Sequence, residues 1–409
     1  MRILIASKFF YTRGGAELVA INTQRVLTEH GHQVRIFAMD YPENIPLKEQ
    51  DTFPLEVKPF GSPADKIKAA RRALGMGDVR AAVRKALDEF KPDVVHAHNI
   101  HTYLSPLIAE EAHKRGIRVV WTLHDYKPIC PAYSFRRPDG TICEECIKHG
   151  SAIIKHHCMK DSLSASVMAW IEARRWSRKR LNEIVDTFIS PSAFLGRKLA
   201  EAGFDKNKIK VLCNFLDPDK LDALHNIQSS DRQPGDAEPY FCYIGRLSPE
   251  KGVGTMLQAA AMANVNIKVA GRGPLFEELT SRYADNANIQ FLGHLDAKQV
   301  SRLLKGAVAS IMPSECYENN PLGVIESLSA GTPVIGAEIG GIPELIEVGK
   351  DGFTYPSFNT DELVQMMLRT LKQPFDRKAI AERAALRFCA QTHYDQLIRI
   401  YQGTDTQSI

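Results

Sequence analysis

Short β-branched runs alternate with longer helical patterns along this chain, in two separate series. In the first, a run at residues 2–7 leads to a helical pattern at 16–30 closed by Gly31, and then to a run at 33–39. The order continues through a helix at 79–90, a strand at 93–97, a helix at 104–115, a strand at 117–123, a long helix at 163–182 and a strand at 185–190. Such alternation buries its apolar runs in a parallel, doubly wound sheet with both faces covered. The rhythm breaks at 226–239, a polar segment with Ser229, Ser230, Pro234 and Gly235 that reads as a linker. A second series follows, with strands at 240–244, 267–270, 289–292, 308–312 and 333–336. The expected architecture is α/β: two Rossmann-like domains, 1–213 and 214–389, facing each other across a cleft at the carboxyl ends of their strands. A last helix, within 390–409, is expected to pack back on the first domain.

At 409 residues, 44% of them hydrophobic, the chain can fill two cores, which excludes a disordered, collagenous or disulfide-dense protein. Residues 1–200 carry 31 basic and 22 acidic groups, and the rest 21 and 26, so the halves are +9 and −5. The first half suits an anionic partner. Without Lys/Arg runs interleaved with aromatics, nucleic acid is not the expected one. The helix at 163–182 mixes Trp170 and Trp176 with Arg174, Arg175, Arg178, Lys179 and Arg180. That composition fits either an anionic membrane surface or a core helix with a solvated basic face. No apolar run reaches the roughly 18 residues that cross a bilayer, and the apolar start is too short for a signal peptide. A cytoplasmic protein is expected, with the inner face of the plasma membrane as its one candidate surface.

Gly14-Gly15-Ala16-Glu17 opens the first helix after the first strand, so its backbone N–H groups can receive a phosphate or carboxylate, or simply form a tight turn. Neither G-x-G-x-x-G nor G-x-x-x-x-G-K-[ST] occurs, which argues against a dinucleotide oxidoreductase and a P-loop NTPase. In Gly245-Arg246-Leu247-Ser248-Pro249-Glu250-Lys251-Gly252, Arg246 and Lys251 stand at a strand's end, where two cations can neutralise a diphosphate. The stretch from Pro313 to Val334 places Glu318 in a loop and Glu326 two turns into a helix. Asn320 is expected as that helix's N-cap and Pro321 as its first residue. Both carboxylates then border the positive end of a helix dipole that can hold a phosphate. Asp217-Pro218-Asp219 reads as a helix-start turn rather than a metal-binding D-x-D.

His96-Ala97-His98-Asn99 with His101 crowds three imidazoles at another strand's end; acceptor contacts through His98 and Asn99, loop packing, and a metal all fit this pattern. Cys130, Cys143, Cys146 and Cys158 follow C-x12-C-x2-C-x11-C in a loop rich in proline and glycine. A structural zinc on these four would explain how an insertion poor in apolar residues holds its shape; free thiols and a redox pair are the alternatives.

Glu318-x7-Glu326, preceded by Pro313-Ser314 and followed by Ala330-Gly331-Thr332-Pro333-Val334-Ile335 and Gly340-Gly341-Ile342-Pro343-Glu344, resembles glycosyltransferase family 4. These are retaining, nucleotide-sugar-dependent enzymes of the GT-B fold. The 245–252 stretch, Gly271-Arg272-Gly273-Pro274 and Phe291-Leu292-Gly293 are similar to further signatures in the expected order, so the resemblance covers essentially the whole chain. It implies that Arg246 and Lys251 hold the donor diphosphate, that Glu318 lies beside the donor sugar hydroxyls and that Glu326 binds the ribose. It also implies that His124 approaches the donor sugar, that Gly14 and Gly15 lie beside the phosphates and that Leu292 lies beside the base. No cofactor is implied for catalysis.

Two departures stand out. Pro321 replaces a glycine of many relatives, so donor contacts there fall to Leu322, Gly323 or Val324. The domain junction reads Asn214-Phe215-Leu216-Asp217 where Asn-Gly-hydrophobic-Asp is common. The implied function is sugar transfer from a nucleoside diphosphate sugar to a lipid-linked or glycan acceptor of a bacterial surface polysaccharide. A sugar-nucleotide epimerase and a non-catalytic nucleotide-sugar-binding protein are the alternatives.

Overall fold

The computed structural model describes the chain except for residues 48–52, 58–60, 227–237 and 406–409, so most of the expected linker lies outside the described residues. The chain divides into two compact units: Met1–Cys213 with His393–Ile409, and Asn214–Thr392.

The first unit runs β1 (Arg2–Ala6), α1 (Gly15–Glu29), β2 (Gln33–Phe37), α2 (Pro63–Ala73), α3 (Asp78–Phe90), β3 (Val94–Ala97), α4 (Leu107–His113), β4 (Arg118–Thr122), α5 (Ala152–Lys155), α6 (Leu163–Arg175), α7 (Arg178–Ile184), β5 (Thr187–Ser190), α8 (Ala193–Glu201) and β6 (Ile209–Val211). The strands form one parallel sheet in the order β2-β1-β3-β4-β5-β6. Ile3, Leu4, Val95, Val119, Val120 and Phe188 are fully buried, as a sheet covered on both faces requires.

The second unit runs α9 (Pro218–Asn226), β7 (Tyr240–Ile244), α10 (Val253–Ala263), β8 (Asn266–Ala270), α11 (Phe276–Arg282), β9 (Ile289–Gly293), α12 (Ala297–Gly306), β10 (Ser310–Met312), α13 (Leu322–Ser329), β11 (Val334–Ala337), β12 (Gly352–Tyr355), α14 (Thr360–Lys372) and α15 (Arg377–Phe388). Its sheet is also six-stranded and parallel, in the order β12-β11-β10-β7-β8-β9. A final helix, α16 (Ala390–Gln402), belongs to the first unit from His393 onward. There Tyr401 shares a hydrogen bond with His96 at 2.7 Å, and Arg118 donates to the Ile400 carbonyl at 3.0 Å.

The long helix expected at 163–182 is two helices. α6 ends at Trp176, whose indole is buried and donates to the Ala73 carbonyl at 2.8 Å, and Ser177 caps α7 by accepting from Arg180 N–H. Arg178 then donates to the carbonyls of Ile129, Cys146, Ile147 and Ala202. Arg175 and Arg180 pair with Glu110. Of the five cations read as one basic face, Arg174 and Lys179 are exposed. Among the described residues no helix is long and apolar enough to cross a membrane.

Candidate functional site

In the second unit β7 lies between β10 and β8, so the strand order reverses there, and the carboxyl ends of β7 and β10 mark the usual ligand crevice of such sheets. After β7, residues Pro249–Lys251 form a 3-10 turn closed by Gly252 at φ +65°. A Cβ on Gly252 would stand 1.9 Å from the Pro313 carbonyl oxygen, so only glycine lets the two loops touch. That contact brings Lys251 onto the loop carrying the first glutamate. Its Nζ lies 2.6 Å from Glu318 Oε1, which also accepts from Ser314 Oγ at 2.8 Å. A third loop, after β11, closes on the other side. Gly341 N–H donates to the Glu318 carbonyl at 2.7 Å, and Gly340, at φ +60°, would place a Cβ 2.2 Å from that oxygen.

Burial alone would depress the Lys251 ammonium, but the adjacent Glu318 outweighs it and holds the group above its ordinary value. Lys251 is therefore a fixed cation, though one already paired. Arg246 differs: it is exposed, and its guanidinium makes no ion pair or hydrogen bond among the described residues. The two cations read as a diphosphate clamp are thus in unlike states.

Asn320 does not cap the helix. Pro321 holds the cap position, α13 starts at Leu322, and no side chain caps it. Asn320 Oδ1 instead accepts from Asn214 N–H and its carbonyl from Asn214 Nδ2, both at 2.9 Å. The junction residue is thereby pinned to the glutamate loop. The buried Val324 turns its N–H back to the Pro321 carbonyl at 3.1 Å. Leu322 and Gly323 keep the N–H groups that a helix start leaves without intrahelical acceptors. Glu326, half-buried on α13, pairs with Lys220 of α9, a residue sequence reasoning missed. Nothing local marks Lys220, which stands 106 positions from its partner. Leu292, near the end of β9, is half-buried, with Gly271 N–H donating to the Gly293 carbonyl beside it at 2.6 Å.

In the first unit, Gly14 and Gly15 are exposed at the start of α1, where Gly14 occupies the cap position in extended backbone and no side chain caps the helix. After β3 and β4, His98 Nδ1 and His124 Nε2 share a hydrogen bond at 3.0 Å. Burial drives both imidazoles toward the neutral form, His124 down to about 4 and His98 well below its ordinary value. One ring therefore donates and the other accepts. Trp121 Nε1 donates to the His98 carbonyl at 2.8 Å, while His98 Nε2 is buried with no hydrogen-bond partner among the described residues. Asn99 lies beside it, half-buried, its carbonyl accepting from Lys8 N–H at 2.9 Å. His96 is a packing residue held between Tyr401 and Thr122.

The four cysteines of the insertion lie close enough to act on one another electrostatically. Among the described residues no three or more His, Cys, Asp or Glu side chains form a group that could hold a metal. Cys130 and Cys146 are buried and hydrogen-bonded to each other, which lowers the Cys130 thiol to about 7 and raises Cys146. The backbone N–H groups of Ala132, Ser134 and Phe135 turn to Cys130, and Cys143 turns to Arg137. Ile129, Phe135 and Ile153 give the insertion a buried apolar centre, and the Arg178 guanidinium ties its carbonyls to the sheet body.

Residues 13–220 match glycosyltransferase family 4, and residues 226–387 match the glycosyl transferases group 1. The chain belongs to glycosyltransferase family 4, and its two six-stranded sheets are those of the GT-B fold. It is 25% identical over 306 residues to the sulfoquinovosyl transferase SQD2 of Arabidopsis thaliana, a match covering 72% of this chain and 53% of the relative. An uncharacterised 42.6 kDa protein in the cps region of Klebsiella pneumoniae is 24% identical, with 85% and 88% covered. Among solved structures, Anabaena Alr3699/HepE in complex with UDP superimposes with a TM-score of 0.67 at 18% identity, covering 98% of this chain and 100% of the other. The chain spans about half the length of the first curated relatives it matches.

Proposed function

We propose that this protein is a retaining glycosyltransferase that moves a sugar, a hexose in our reading, from a nucleoside diphosphate sugar to an acceptor hydroxyl. The observation that carries the reading is the convergence of Lys251, Glu318, Ser314 and the uncapped start of α13 at the reversal point of the second sheet. Breaking the bond between anomeric carbon and phosphate oxygen leaves negative charge on the departing diphosphate and positive charge on the sugar. Fixed donors aimed at those charges are the largest source of acceleration available. Lys251, Arg246 and the N–H groups of Leu322 and Gly323 serve the diphosphate, Glu318 serves the sugar and Glu326 the ribose, with Leu292 beside the base. Gly14 and Gly15 add N–H donors for phosphate. His124, kept neutral by burial, can hold or accept a proton at the sugar, and His98 with Asn99 meets the acceptor. The UDP of the Anabaena structure supports a nucleoside diphosphate donor, and the cps-region relative supports a role in bacterial surface polysaccharide synthesis.

The acceptor is a glycan or lipid-linked glycan. A cavity of about 570 Å³ lined by Leu74, Met76, Ile171, Arg80, Arg174 and Arg175 joins apolar and basic groups, which supports transient contact with an anionic membrane. The direct test is release of nucleoside diphosphate from a panel of nucleotide sugars. Slow hydrolysis of one donor without acceptor, abolished by Lys251→Met, is expected. No release or binding across the panel would overturn the reading.

A further inference from the structure

The carboxyl edge of the first sheet carries a group of aromatic rings that neither the motifs nor the donor chemistry uses. Phe9 and Tyr11 follow β1, Tyr41 follows β2 and Tyr103 follows β3, so three neighbouring strands deliver them to one edge. Phe9 is the buried hub, with ring centroids at 4.9 Å from Tyr41, 5.7 Å from Tyr103 and 5.8 Å from Tyr11. Around it Tyr11, Tyr41 and Tyr103 are half-exposed, and Tyr11 and Tyr41 are stacked on each other, their planes 14° apart with centroids at 5.5 Å.

The group is rigid. Asn44 Oδ1 accepts from Phe10 N–H at 2.9 Å, and its Nδ2 donates to the Met39 carbonyl at 2.7 Å, locking the loop after β2 to the loop after β1. Arg13 covers the hub at 4.5 Å, and the Lys8 ammonium stands 5.4 Å from the Tyr103 centroid. The stacked pair keeps its outer faces, and the half-exposed rings offer aromatic surface rimmed by phenol hydroxyls and cations, on loops that leave the same sheet edge as those of His98 and Asn99.

We infer that Tyr11, Tyr41 and Tyr103 form the platform on which a pyranose ring of a glycan acceptor stacks, which makes the acceptor a carbohydrate rather than a bare alkyl chain. A pyranose has one face of C–H bonds and a rim of hydroxyls, so it matches an aromatic plane edged with hydrogen-bonding groups. Rigid tyrosines offer large contact area at little entropic cost. An alkyl chain would want a closed apolar groove, and here polar groups interrupt the surface. The inference rests on the transferase reading above and specifies its acceptor.

Ligand-observed saturation-transfer NMR on the full chain tests it, with methyl glucopyranoside, galactopyranoside and mannopyranoside as probes, 1-octanol and uridine as competitors of other chemistry, and UDP, ADP and GDP titrated in parallel. At least one pyranoside should be saturated most strongly on the protons of one ring face. That signal should fall at least fivefold in Tyr11→Ala and Tyr41→Ala and persist in Tyr41→Phe. Tyr41→Leu, which keeps most of the volume without the aromatic face, should behave like Tyr41→Ala and replaces it if the alanine variant melts at the assay temperature. Signals unchanged by the alanine and leucine variants, absence of any pyranoside signal, or saturation of octanol or uridine alone at these rings would overturn the inference. Failure of all three nucleoside diphosphates to bind would instead refute the donor reading, whatever the pyranosides do.

Discussion

Because Lys251 is already paired with Glu318, removing the carboxylate's charge should move donor-site binding and turnover in opposite directions. An incoming diphosphate has to draw Lys251 away from Glu318 and then lie beside that carboxylate. In Glu318→Gln neither obstacle carries charge. Opposite unit charges about 4 Å apart interact by roughly 1 kcal/mol in water and roughly 4 at an effective dielectric of 20. The Lys251 and Glu318 side chains are 30% and 14% exposed, so about 2 to 3 kcal/mol is reasonable. The glutamine carbonyl still accepts from Lys251 and restores about 1 of that. The expected gain in nucleoside diphosphate affinity is therefore roughly 1 to 2 kcal/mol, or about 5- to 30-fold in Kd.

Turnover should fall instead, by about 100-fold or more, because the carboxylate interaction strengthens as the sugar becomes cationic. Calorimetry with UDP, ADP and GDP on wild type and Glu318→Gln gives the first quantity, steady-state donor hydrolysis the second, and Lys251→Met, which should weaken binding, is the control. The raised Lys251 keeps its charge, and with it the pair's contribution, through the neutral range and loses both as pH climbs through its elevated value. The advantage of Glu318→Gln should hold from pH 6 to 9. Equal or weaker diphosphate binding in Glu318→Gln would refute the reasoning.

Lys220→Met should raise the donor KM about 3- to 10-fold with kcat nearly kept, since Lys220 holds the ribose-side Glu326 in place; Lys220→Arg should restore it, and a kcat defect alone would count against this role. His96 and His393 are buried and His101 and His124 half-buried, and desolvation lowers all four to about 3 or 4, so the unfolded chain binds more protons below about pH 6.5. Stability should accordingly be flat above that pH and drop steadily between 6.5 and 4, and a Tm unchanged down to pH 5 would contradict the burial of these rings. Vesicle flotation should show salt-sensitive binding to anionic but not neutral lipid, released by Arg174→Glu with Lys179→Glu; equal binding to both vesicle types would exclude the basic surface as its cause.

Both sheets were legible because their strands are continuous apolar runs set between helical periods, a local pattern. What escaped were features set by distant partners. The edge strands β6 and β12 escaped because Lys210 interrupts the one and Gly352 opens the other, so neither is a continuous apolar run. The break between α6 and α7 follows from where Trp176 and Arg178 are buried, which no window around residue 176 can reveal. Asn320 before Pro321 has the local form of a helix cap, but Asn214 takes both its side-chain oxygen and its carbonyl. Among the four cysteines, the hydrogen bond between the Cys130 and Cys146 thiols follows from how the loop folds, which spacing alone does not show.

The donor-site glycines were readable for a different reason. Gly252 and Gly340 each sit where a Cβ would strike a backbone oxygen of another loop, Pro313 in one case and Glu318 in the other. Each contact is long-range in the chain, yet it leaves a local mark, because only glycine satisfies it. Lys220 and Glu326 make a contact of still longer span with flexible side chains that many positions could carry, so it leaves none. A recognisable motif is therefore strongest where backbone meets backbone. That explains why the loops carrying Lys251 and Glu318 could be named from the chain alone, while Lys220, and the pairing of Lys251 with Glu318 that donor binding must undo, could not.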